Sequence, residues 1–126
     1  MKHVTQMKPK EAANVDHDRL NELYTQLGQS NAEDIVCRAM EELALRLTHC
    51  DKLYRDKAWG DLHKSAKSLV AIADQIGMPA VSSVAGHVTI CIDRADTIAL
   101  AATVARLLRI GEDSLAVIWD LQDITI

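Results

Sequence analysis

One segment of this chain carries a histidine, a lysine and an aspartate at helical spacing. His63, Lys67, Val70, Ala71 and Asp74 are spaced three or four residues apart, so on a helix they would share one outward strip. A neutral imidazole such as that of His63 can attack an acyl phosphate near neutral pH. An unperturbed lysine is protonated there, so Lys67 offers a fixed positive charge instead of a nucleophile. The segment therefore offers a candidate nucleophile at His63 and a cation at Lys67 that could bind an acidic group.

A third helix must position this segment. Its apolar residues recur at helical spacing and predict one buried stripe: Trp59, Leu62, Ala66, Leu69, Ala73 and Ile76. Asp56 is expected to cap its start and Gly77 to end it. The strip lies about 100° around the helix from the buried stripe, so we expect it to be exposed or half-exposed.

Two further helices are predicted before this segment. Asp16 can cap the first, which Gly28 would end, and its apolar positions are Leu20, Leu23 and Leu27. Asn31 can cap the second, a long helix with a buried stripe of Val36, Met40, Leu43, Leu47, Cys50 and Tyr54.

Two more helices are predicted after the segment. Pro79 can open the fourth, whose stripe is Val81, Val84, Val88, Cys91 and Ala95. Asp96 can cap the fifth, which Gly111 would end, with apolar positions at Ile98, Ala101, Ala105 and Leu108. For Ser114 to Ile126, periodicity does not distinguish a short helix from an extended segment.

The predicted fold class is all-α: an antiparallel up-and-down four-helix bundle with an additional N-terminal helix. Residues 1–14 are polar, contain Pro9 and are predicted to be a flexible N-terminal arm, whereas residues 15–126 form one bundle domain. With no Phe among 126 residues, the core must be aliphatic and rich in Ala.

Composition narrows the class of partner. The formal charge of −4 argues against nucleic acid, and no apolar run is long enough to span a membrane. The N-terminus carries Lys without a following apolar core, so no signal peptide is expected. Three widely spaced cysteines inside helical patterns are typical of reduced thiols in a cytoplasmic protein, so we expect that location.

The segment from Ala66 to Gly77 resembles the central motif of the histidine-containing phosphotransfer (HPt) family: A-H-x-L-K-G, four further residues, an aliphatic residue and Gly. Ala66, Leu69, Ile76 and Gly77 match the flanks. Three departures remove the chemistry, because Lys67 replaces the phosphorylated His, Val70 the helper Lys and Ala71 the Gly.

The resemblance covers about Asp16 to Gly111 and implies a four-helix HPt-like bundle of a two-component phosphorelay. It implies a non-catalytic adaptor that binds a response-regulator receiver domain or a histidine kinase, as a monomer or homodimer. The partner-binding residues would be His63, Lys67, Val70, Ala71 and Asp74, with no cofactor or metal.

Two other functions stay open: an active phosphotransfer protein that uses His63, and a structural or oligomerising helical bundle. Zinc binding is the weaker alternative, because its candidate ligands include no closely spaced cysteine pair: Cys37, His49, Cys50, His87 and Cys91. No nucleophile elbow, catalytic triad or acid–base pair can be identified, so the sequence predicts no enzyme.

Overall fold

The computed structural model describes residues 15–125, with side chains up to residue 121. This part of the chain contains five helices and no strand. The helices are α1 (His17–Leu27), α2 (Gln29–Arg55), α3 (Trp59–Gln75), α4 (Pro79–Asp93) and α5 (Thr97–Thr125). The all-α prediction is therefore confirmed for this range. The predicted arm, residues 1–14, lies outside the described residues.

The four helices α2 to α5 enclose one core. Helices α2 and α4 each pack against both α3 and α5, and α1 packs against α2. The core is aliphatic, as the absence of Phe predicts, and alanines on α2, α3 and α4 let neighbouring helices approach closely. Fully buried core residues include Val36, Leu43, Leu62, Ala66, Leu69, Ala73, Ala85 and Leu107.

Helix α1 begins at its predicted cap and is tied to the turn between α3 and α4. The Asp16 carboxylate accepts a hydrogen bond from the Arg19 amide at 3.1 Å. The Asp16 amide donates to the Gly77 carbonyl at 2.7 Å, and Arg19 Nε donates to the Gln75 carbonyl at 3.1 Å. These bonds fix the start of α1 against the C-terminal end of α3.

Two predicted N-caps are wrong. Helix α2 starts at Gln29, before Asn31, whose amide donates to the Leu27 carbonyl at 3.1 Å. Asp56 ends α2, and its carboxylate pairs with Lys52 at 2.9 Å, while the α3 cap residue makes no side-chain bond. In both cases, the polar side chain that was predicted to cap a helix instead makes a local contact at the end of the preceding helix.

The predicted stripes of α1 to α4 are buried or half-buried, with one exception. Ala95 lies beyond the end of α4, is exposed and has a φ of +54°. The Asp96 amide donates to the Cys91 carbonyl at 3.0 Å, which closes the helix around Ala95 in a left-handed turn.

The predicted face of α5 is wrong, although its cap is right. The Ala99 amide donates to the Asp96 carboxylate at 3.0 Å. Ile98 is 85% exposed, and Ala101 and Ala105 are also exposed. The buried hydrophobic residues are Leu100, Val104, Leu107, Ile110 and Ile118. Alanines occupy so many positions around α5 that the spacing of apolar residues alone does not identify its buried face.

Gly111 does not end α5, which continues to Thr125 and so makes the segment from Ser114 to Thr125 helical. Gly111 is buried, and a Cβ there would lie 2.5 Å from Leu47 Cδ1. The small size of Gly111 therefore lets α5 approach α2. In the sequence, a glycine needed for such close packing looks the same as a glycine that ends a helix.

Replacing Leu43 by Ala should lower the free energy of unfolding by about 2–5 kcal/mol, because Leu43 is fully buried in the α2 stripe. Glu41→Ala, on the exposed side of the same helix, should change it by less than about 0.5 kcal/mol. Urea unfolding measures both values, and equal losses would mean that the buried face of α2 has been misassigned.

Gly77 and Ala95 should respond in opposite ways to an exchange of Gly and Ala. Both residues have positive φ angles, and a Cβ at Gly77 would lie 2.9 Å from the Asp16 carbonyl oxygen. Gly77→Ala should therefore destabilise the protein by about 1 kcal/mol or more, whereas Ala95→Gly should stabilise it by about 1 kcal/mol. Thermal unfolding of the two variants compares them, and a loss of stability in Ala95→Gly would contradict the conformational argument.

Candidate functional site

The orientation of α3 is set by its buried side. Leu62, Ala66 and Leu69 have no exposed surface. On the side that faces α2, the Cys50 thiol donates to Ser65 Oγ at 3.5 Å, and Ser65 is only 2% exposed. The residues about 100° or more from this buried stripe must therefore face solvent or the edge of α4.

The five predicted site residues, here called the α3 strip, all reach the surface. Lys67, Ala71 and Asp74 are exposed, whereas Val70 and His63 are half-buried. The strip thus alternates charged groups with two small apolar side chains at the middle of α3. The structure brings all five residues onto one face.

Lys67 is the exposed cation at the middle of the α3 strip. Within the described part of the chain, its ammonium group takes part in no ion pair. Its side chain also forms no hydrogen bond there. This charge is consequently available to a partner without breaking an intramolecular contact.

His63 contacts a residue that sequence reasoning missed. Its Nε2 lies 3.1 Å from Oδ1 of Asp93 in the last turn of α4, and its side chain is 28% exposed. The contact is a hydrogen bond when Nε2 carries the proton of the neutral ring, and an ion pair when the ring is protonated. In the neutral form, Asp93 would hold the proton on Nε2 and leave the lone pair on Nδ1.

A signal for Asp93 was present in the sequence. Gly77 and Pro79 predict a tight turn between α3 and α4, and two helices so joined run antiparallel. His63 lies 14 residues before Gly77 and Asp93 lies 14 residues after Pro79, so both fall at a similar distance from the turn. Aligning α3 and α4 by the number of residues from this turn would have predicted the contact between His63 and Asp93.

The candidate zinc ligands do not form a site among the described residues, where no three His, Cys, Asp or Glu side chains cluster. Cys50 is fully buried, and burial raises the pKa of its thiol, partly offset by the Ser65 hydrogen bond and the charge of Arg46. Cys91 lies 3.7 Å from Thr103 Oγ1. These thiols therefore belong to helix packing.

Comparison of the chain with known proteins gives no further evidence about this site. No protein-family model, curated protein or solved structure matches the chain. Among the described residues, no helix combines the length and apolar character needed to cross a membrane.

Proposed function

We propose that this protein is an HPt-like adaptor of a two-component phosphorelay, which binds a receiver domain through the α3 strip without passing phosphate. The proposal includes the finer fold, in which α2 to α5 form the up-and-down four-helix core of an HPt-like bundle and α1 is the additional helix. It is supported by the resemblance of Ala66 to Gly77 to the HPt motif and by the exposure of the strip on α3.

The observation that carries the proposal is the exposed ammonium group of Lys67, which pairs with no other described residue. In the HPt motif, this position belongs to the His that enters the acidic pocket of a receiver. A receiver pocket holds a cluster of carboxylates, so a cation presented there has a complementary electrostatic partner. Val70 and Ala71 add a small apolar contact beside the charge, as the cores of protein interfaces commonly do.

The charge of Lys67 should control binding to a panel of purified receiver domains from the source organism. Lys67→Glu should abolish binding, because it sets like charges against each other, and wild-type affinity should fall as salt rises. The matched control is Lys57→Glu, which makes the same charge change at an exposed turn about 12 Å or more away along α3. Titration calorimetry at two salt concentrations measures the affinities.

Equal losses in Lys67→Glu and Lys57→Glu would mean that net charge, and not the α3 strip, governs binding. If no receiver domain binds the wild-type protein, the adaptor proposal fails. A histidine-kinase domain tested in the same way is then the next partner, and the absence of binding to either class would favour a structural bundle.

A second candidate function is phosphotransfer through His63, and the contact with Asp93 favours it. A carboxylate that accepts a hydrogen bond from Nε2–H orients the neutral imidazole and leaves Nδ1 with the lone pair that could attack an acyl phosphate. However, His63 lies one helical turn, about 5.4 Å, from the motif position that Lys67 occupies. Phosphate transfer requires the reacting atoms to be placed within a much smaller tolerance.

Restoring all three motif positions should permit more phosphorylation than restoring the histidine alone. Lys67→His alone should accept little phosphate, because two supporting residues of the motif would still be missing. Val70 stands where the motif has a lysine, and Ala71 stands where it has a glycine. The triple variant Lys67→His, Val70→Lys, Ala71→Gly should accept more, although Gly within α3 costs about 1 kcal/mol of helix stability. Incubation with acetyl phosphate, followed by mass spectrometry for an acid-labile phosphate, measures the labelling.

Two controls separate the candidates. Labelling of the wild-type protein that disappears in His63→Gln would support the second candidate and contradict the non-catalytic one. If the single variant is labelled as fully as the triple variant, the roles assigned to positions 70 and 71 are wrong.

A further inference from the structure

A cavity of about 250 Å³ lies between α2 and the distal half of α5, which begins after Gly111. It reaches the surface, because Glu41, Ala44 and Trp119 at its edge are exposed. Most of its lining is apolar and comes from both helices: Cys37, Met40, Glu41 and Ala44 on α2, and Leu115 and Trp119 on α5.

Trp119 is the largest apolar group in this cavity. Its side chain is 59% exposed. By contrast, Trp59 is half-buried and packs against Tyr54, with the two ring centroids 5.9 Å apart. Covering the Trp119 indole and the adjoining Leu115 would remove apolar surface from water, which is favourable.

The rim of the cavity is acidic. Glu41 lines the cavity on α2, and Glu112 lies one helical turn before Leu115, on the same side of α5. Both side chains are exposed, and neither carboxylate forms an ion pair with another described residue. An occupant that carries apolar side chains flanked by cations therefore matches the cavity in both respects.

Residues 1–14, which precede the described part of the chain, have this composition. They contain one acidic residue and three lysines: Lys2, Lys8 and Lys10. Two apolar residues, Val4 and Met7, lie between the first two of these lysines. The segment is thus basic, although the whole chain has a formal charge of −4.

The segment is also long enough to reach the cavity. It joins the described residues at Val15, next to the start of α1, and α1 packs against α2, which lines the cavity. Packed helices lie about 8–10 Å apart, so crossing from α1 to the far side of α2 takes about 20 Å. An extended segment of this length spans up to about 46 Å.

We propose that residues 1–14 bind in the cavity between α2 and α5 of the same molecule. A lysine of the segment pairs with Glu41 or Glu112, and an apolar side chain packs on Trp119. A segment joined to its own binding site has an effective concentration in the millimolar range, so in dilute solution it outcompetes the same segment of a second copy. This surface is separate from the α3 strip and does not depend on the proposed function.

The direct test is cross-linking of the full chain with a water-soluble carbodiimide, which joins an amine to a carboxylate only where the two are in contact. Mass spectrometry should find a lysine of residues 1–14 joined to Glu41 or Glu112. The yield should be several-fold higher than for links from the same lysines to Asp61, an exposed carboxylate on α3 outside the cavity. Mixing copies labelled with heavy nitrogen and unlabelled copies distinguishes links within one molecule from links between two.

The fluorescence of Trp119 gives a second test in the same full chain. In a Trp59→Phe background, Trp119 is the only tryptophan. The double change Lys8→Glu, Lys10→Glu should release the segment, so Trp119 should emit at longer wavelength and be quenched more strongly by acrylamide. The matched control is Lys57→Glu, Lys64→Glu, which makes the same charge change at two exposed lysines outside the cavity and should leave the emission unchanged.

The inference would be overturned if the Lys8→Glu, Lys10→Glu variant kept the Trp119 emission of its parent. An equal change in the control variant would overturn it as well, because net charge would then explain the effect. Links found mainly between heavy and light copies would assign the cavity to the segment of a second molecule and contradict binding within one chain. None of these results changes the expected effect of Lys67→Glu on receiver binding, so the two proposals fail separately.

Discussion

The arrangement of this molecule depends on the burial of one side of α3. Leu62, Ala66, Leu69 and Ala73 have no exposed surface, and each lies between neighbouring helices. A helix is rigid over this length, so burial of these residues determines the direction of every other side chain on α3. Lys67 faces solvent because burial of its neighbours Ala66 and Leu69 fixes the rotation of α3 about its axis. The position of the strip is thus a consequence of core packing and requires no polar contact of its own.

Much of this arrangement could be predicted from sequence because polar and large apolar residues contrast strongly along α1 to α4. Leu43 and Leu47 alternate with charged residues such as Glu41, so only one face of α2 can be buried. The same reasoning failed for α5, where alanines at many positions are compatible with several faces. It failed again at Gly111, since a glycine that permits close helix packing and a glycine that ends a helix look the same in a single sequence.

The site could be predicted only in part, for a related physical reason. The exposure of Lys67 and Asp74 follows from local helical geometry, which the sequence contains. The pairing of His63 with Asp93 joins residues on different helices, so it depends on how α3 and α4 align. The chemical consequence is considerable, because in the neutral ring that contact would hold the proton on Nε2 and leave the lone pair on Nδ1. Recognition of a partner remains a proposal that depends on this tertiary surface.

The continuation of α5 past Gly111 extends the core along α2. With 29 residues, α5 is about 43 Å long, whereas α4 with 15 residues is about 22 Å long. Roughly half of α5 therefore extends beyond the length of α4, and Gly111 lies against Leu47 of α2 where this half begins. Ile118 in the distal half is only 1% exposed, so this half belongs to the buried core. Its stability therefore depends on its contact with α2, and local opening of α2 would expose the distal half of α5 to solvent.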